Sequence, residues 1–226
     1  MAYMKKMFIT TLLALMACFS RQEAEEIGKA CQGVDENATT DGKTYLTKQG
    51  DREQAEWHFP VQPPNENVTR ADQGNNTAMQ KYNNATTNKA LGQSMHVIED
   101  SFSHASYKAG WGHAGPDFLR EKSLAALTAA DKTANDVPKA LDMAKFVYDK
   151  LTQYRNNQKP LNNPVEYDQN VETALKAIFS LTDTNQIIEQ LKYWIDAEER
   201  TKNRRIINPG YWDTPPPEMH PPYYVV

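Results

Sequence analysis

The chain has little cysteine, no basic surplus and no long apolar run, and each shortage closes a route. Two cysteines in 226 residues, Cys18 and Cys31, cannot build a disulfide framework and do not form a CxxC pair. With 25 basic against 29 acidic side chains the net charge is −4, which argues against a dedicated nucleic-acid coat, and no stable nucleic-acid complex is expected. No stretch reaches the roughly 20 apolar residues of a membrane-spanning helix. There is no internal repeat, no run of alternating strands, no glycine-rich phosphate loop, no nucleophile elbow and no Cys/His pair. The mean hydropathy is −0.74, and the 39% of hydrophobic residues fall in periodic segments, so the chain is long and patterned enough for a real core. What remains is a polar, all-α domain.

The N-terminus has two readings. Lys5 and Lys6 followed by the apolar run 7–17 resemble a signal peptide, and Leu15-Met16-Ala17-Cys18 resembles a lipoprotein cleavage box that would anchor the chain through Cys18. The preferred reading is a helical hairpin. Ser20-Arg21-Gln22-Glu23 is a capping-box pattern, Phe19 holds the staple position before it, and Ala24, Ile27, Ala30 and Cys31 follow at helical spacing. Thr10 and Thr11 dilute the first arm.

Residues 33 to 90 are rich in Asn, Thr, Gln and Gly, are interrupted by Pro60, Pro63 and Pro64, and read as a long loop carrying Asp35 and Trp57-His58-Phe59-Pro60. A helix is expected over about 88–106, with Leu91, Met95, Ile98 and Phe102 as its apolar stripe. The last third reads as three helices. Pro138 opens the first, ahead of Leu141, Ala144, Tyr148, Leu151 and Tyr154. Val171, Ala174, Leu175, Ile178 and Phe179 mark the second, and Ile187, Ile188, Leu191, Trp194 and Ile195 the third. The domain is expected to span 1–207, and an extended tail, 208–226, holds six of the 13 prolines.

Chemistry concentrates in the histidines. Four of the five, His58, His96, His104 and His113, lie in the middle of the chain, three of them within 18 residues. His96, Asp100 and His104 stand at i, i+4 and i+8, which spans only about 80° of a helix, so they share a face. Glu99 points elsewhere and reads as a solvated charge. His113 and Asp117 repeat the i, i+4 pair across a glycine-rich turn. Imidazole nitrogens and carboxylate oxygens together suit Zn²⁺.

Asp35, Trp57-His58-Phe59, His96-x-x-x-Asp100, His104 and His113-x-x-x-Asp117 follow the order of ligands in the zinc-dependent phospholipase C and S1/P1 nuclease superfamily, which this chain resembles over about residues 10–155. Asp100-Ser101-Phe102-Ser103-His104-Ala105 and Gly112-His113-Ala114 look closer still to bacterial phospholipase-like domains of toxin and secretion-system effector chains. The resemblance implies a helical fold with two zinc ions. One would be held by Asp35, His58, His96 and Asp100, and the other by His104, His113 and Asp117. It also implies hydrolysis of phosphodiesters by metal-activated water, with Asp35 as catalytic base. The substrate would be a phospholipid or another phosphodiester, met through transient contact with a membrane surface. A secreted or delivered antibacterial effector with a cognate immunity protein goes with that reading. The alternatives are a nuclease on the same metal framework and a non-catalytic binding domain stabilised by metal. Three features depart from the family pattern: a shorter Asp100-to-His104 spacing, Asp117 where Glu is usual, and no histidine before His58 for a third metal.

Overall fold

The computed structural model describes residues 4–37, 78–104, 132–158, 167 and 169–207, with Asp35 and His104 placed by their backbone alone. The helices in chain order are α1 (Met4–Met16), α2 (Arg21–Asn37), α3 (Asn88–His104), α4 (Val137–Gln158), α5 (Gln169–Phe179) and α6 (Thr184–Ile207). Residues 78–83 are also helical, Thr133–Asn135 form one 3-10 turn, and there is no strand among the described residues. The fold is all-α.

α1 is the centre of the assembly. Residues 9–17 are all buried, with Leu13, Ala14, Leu15 and Ala17 fully so, because α2, α4 and α6 all pack on it. A helix that is apolar on every side needs such enclosure. Its end is a complete Schellman motif. Phe19 N donates to Ala14 O at 3.1 Å and Cys18 N to Leu15 O at 3.0 Å, with Cys18 in the left-handed region at φ 65°. The chain then turns directly into α2 through the expected capping box. Ser20 N donates to Glu23 Oε2 at 2.8 Å, and Glu23 N donates to Ser20 Oγ at 3.3 Å. The staple residue Phe19 is fully buried, with the Arg155 guanidinium 5.3 Å from its ring centroid. α1 and α2 thus form a packed antiparallel hairpin.

Two helical glycines set how closely these helices approach. A Cβ on Gly28 would stand 2.1 Å from Thr11 Oγ1 and 2.6 Å from Met7 O, and one on Gly92 would stand 2.2 Å from Ile27 O. α1 therefore touches α2, and α2 touches α3, almost backbone to backbone. The α2–α3 contacts advance in step: Asn88 Nδ2 donates to Glu26 Oε2, Gly92 lies on Ile27 and Ala30, and Glu99 meets Cys31. The two helices therefore run in the same sense.

The C-terminal helices enclose this core as their stripes predict. Leu175, Ile178 and Phe179 on α5, and Ile187, Leu191 and Ile195 on α6, are buried, as are Ala144, Tyr148, Leu151 and Tyr154 on α4. Side-chain caps start α4 and α6. Lys139 N donates to Asp136 Oδ1 at 3.2 Å, and Asn185 N donates to Asp183 Oδ1 at 2.7 Å. Arg21 adds a partly exposed ion network from α2 to α6 through Asp196 and Glu199, in addition to Glu25 on its own helix. Exposed pairs of this kind contribute modestly, typically under about 1 kcal/mol each.

Candidate functional site

The middle turns of α3 are buried on all sides. From Ser94 to Ser101 every residue is enclosed, the polar ones included, because α2, α4 and the first turns of α1 surround it. Ser94 and Ser101 satisfy their hydroxyls within the helix, on Leu91 O at 2.7 Å and Ile98 O at 2.6 Å. The other three, His96, Glu99 and Asp100, form a polar cluster with side chains from α1 and α2.

His96 and Asp100 lie one turn apart, at 0% and 1% exposure, with His96 Nε2 3.3 Å from Asp100 Oδ2. The other oxygen of Asp100, Oδ1, accepts a hydrogen bond from the Lys6 ammonium of α1. Beside them Thr10 Oγ1 donates to Glu99 Oε1 at 2.6 Å, and Cys31 Sγ donates to Glu99 Oε2 at 3.6 Å. Thr10 Oγ1 also lies 3.5 Å from Cys31 Sγ. Three helices thus meet on one pair of adjacent carboxylates.

Glu99 corrects the sequence reading. It is not a solvated charge but 1% exposed. The reason is that α3 has no solvent face at this point, so a residue pointing away from His96 and Asp100 points into α1 and α2 instead. Burial pushes its carboxyl up to about 7, partly offset by the charge of Lys6, the Thr10 hydrogen bond and His96, while Asp100 adds to the rise.

Asp35 is the second correction. The sequence places it in a long loop, but α2 continues to Asn37 and carries Asp35 in its last turns. The apolar period that holds α2 runs on through buried Val34. His104 is the last residue of α3, one turn beyond Asp100, so the i, i+4, i+8 pattern lies on a single helix as expected. His58, His113 and Asp117 lie outside the described residues.

Among the described residues no group of three or more His, Cys, Asp or Glu side chains is arranged to hold a metal ion. The pair His96–Asp100 nevertheless fits one. Two zinc ligands at about 2.0–2.1 Å in tetrahedral array stand about 3.3 Å apart. The Nε2 to Oδ2 separation of 3.3 Å is compatible with that edge, as it is with an imidazole–carboxylate ion pair.

Sequence reading missed Lys6, Thr10, Cys31 and Glu99 as members of the site. A signal for two of them was present. Lys6 and Thr10 stand at i, i+4 on a helix otherwise apolar from Met7 to Ala17 apart from Thr11, so they form one polar stripe. No helix among the described residues is long and apolar enough to cross a membrane. Comparison with protein-family models, with curated protein sequences and with solved structures finds no match to this chain.

Proposed function

We propose that the chain is a zinc-dependent phosphodiester hydrolase of the phospholipase C type, as the order of its histidines and aspartates implies. The observation that carries the reading is the His96–Asp100 pair, a buried imidazole and carboxylate one helical turn apart at a spacing that two ligands of one zinc ion can take. Asp35 falls in the last turns of α2 and His104 ends α3, so both belong to the helical frame that carries the pair. His58 would complete the first ligand set with Asp35, His96 and Asp100, and His113 and Asp117 the second set with His104.

When bound, zinc would lower the pKa of its water towards about 7 and neutralise charge on the phosphoryl oxygens. The chain's own residues do the rest. The rigid turn of α3 fixes the direction of His96 and Asp100, and enclosure by α2 and α4 excludes bulk water from their inner sides. Asp35 orients the attacking water and accepts its proton. A phospholipid or another phosphodiester is the substrate class.

The test is metal analysis of the purified full chain joined to turnover of a short-chain phospholipid, a generic phosphodiester and single-stranded nucleic acid. About two equivalents of zinc and phospholipid turnover are expected. Asp35→Asn should retain the fold and lose about 10²-fold or more in rate, the scale of a positioned base. Turnover of nucleic acid alone would assign the nuclease instead. Full zinc loading with no turnover of any phosphodiester would leave a metal-stabilised binding domain.

A further inference from the structure

We infer that Lys6 is a positioning residue for the metal carboxylate Asp100, supplied to the site by α1. The inference rests on the zinc reading above and adds a residue to it.

Two partners of Asp100 stand at different oxygens. Oδ2 faces His96 Nε2, and Oδ1 accepts from the Lys6 ammonium. The ammonium therefore occupies the oxygen away from the His96 corner.

Position and charge both suit the role. Asp100 is 1% exposed and Lys6 16%, so the ammonium reaches inward from the rim of α1 to a carboxylate that water barely touches. A carboxylate with one oxygen held is restrained from turning about its terminal bond, which favours presentation of Oδ2 beside His96. Asp100 also adjoins the buried Glu99, and the Lys6 charge offsets the repulsion between the two carboxyl groups. Outer partners of metal ligands hold the ligand in this way, and their loss typically costs about 10- to 100-fold in metal affinity.

The experiment is a zinc titration of the full chain against a competing chelator, for the native protein, Lys6→Met and Lys6→Arg, each with a melting curve in the absence of metal. Lys6→Met should weaken zinc binding by about 10- to 100-fold, and Lys6→Arg, which keeps a charged donor for Oδ1, should recover most of it. Should Lys6→Met fail to fold, Lys6→Gln retains a neutral donor and should bind zinc with an intermediate affinity. A folded Lys6→Met or Lys6→Gln variant that binds zinc as tightly as the native chain, or more tightly, overturns the inference while leaving the zinc reading intact. In that case Lys6 is a folding contact or a competing cation. A native chain that binds no zinc overturns both.

Discussion

Thr10 Oγ1 donates a 2.6 Å hydrogen bond to Glu99 Oε1 across 89 positions of sequence, and both residues are almost wholly buried. The bond joins the most apolar helix of the fold to the polar core of α3. Thr10→Val keeps the shape and removes the donor, leaving a buried carboxyl oxygen short of a partner. A loss of about 1–3 kcal/mol is expected in denaturant unfolding. Thr10→Ser keeps the donor and should lose less than Thr10→Val, and the reverse order would mean that packing of the methyl group outweighs the bond.

The raised pKa of Glu99 sets a pH dependence with a definite sign. Its carboxyl sits at about 7 in the folded chain against 4.5 as its ordinary value, so between those limits the folded state binds the proton more tightly. Its contribution is fully present below pH 4.5 and is lost as pH rises through 7, a change on the order of 3 kcal/mol. Among the described residues the groups facing it include Lys6 and Thr10 from α1, Cys31 from α2, and His96 and Asp100 on its own helix. Glu99→Gln lacks this titration. Its stability relative to the native chain should therefore rise between pH 4.5 and 8, measured by urea unfolding at each pH. A constant difference across that range would show that Glu99 stays ionised throughout.

Gly92 tests the close approach of α2 and α3. Alanine in a helix is favoured over glycine by about 1 kcal/mol, but here its Cβ would meet Ile27 O at 2.2 Å and Ala30 Cβ at 2.8 Å. Backbone cannot step aside as a flexible side chain can, so the helices must separate. Gly92→Ala should lose about 1–3 kcal/mol net. At Gly33, also on α2, nothing lies within 4 Å of the added carbon, and Gly33→Ala should gain up to about 1 kcal/mol. Equal effects at the two sites would refute the packing argument.

Cys18 carries a backbone cost that glycine would remove. It occupies the left-handed position of the Schellman turn at φ 65°, where a Cβ costs roughly 1–2 kcal/mol. Its side chain makes only a 3.9 Å contact to Met16 O. Cys18→Gly should raise the melting temperature by about 2–4 °C. Cys18→Ala retains the Cβ and should change little, so an equal gain from both variants would place the cause in the thiol and not the backbone.

Much of the architecture is legible in the sequence because it depends on contacts between near neighbours. The Ser20–Glu23 capping box, the Phe19 staple and the 3.6-residue stripes of α4, α5 and α6 are local patterns, and each element stands where its pattern predicts. The i, i+4 spacing of His96 and Asp100 brings them onto one face of α3, and the helix geometry alone requires it. Tertiary structure decided what local pattern cannot express. Glu99 reads as a surface charge, since nothing within a few residues says that α3 will be enclosed on every side. Asp35 reads as loop, because the composition turns polar before α2 ends and Val34 holds the last turns only by packing. Lys6 and Thr10 join the site through partners about 90 positions away, and that meeting depends on Gly28 and Gly92 letting three helices close to near-backbone contact. A sequence states which side chains each helix offers. Only the packing of the helices determines which of them share one buried volume.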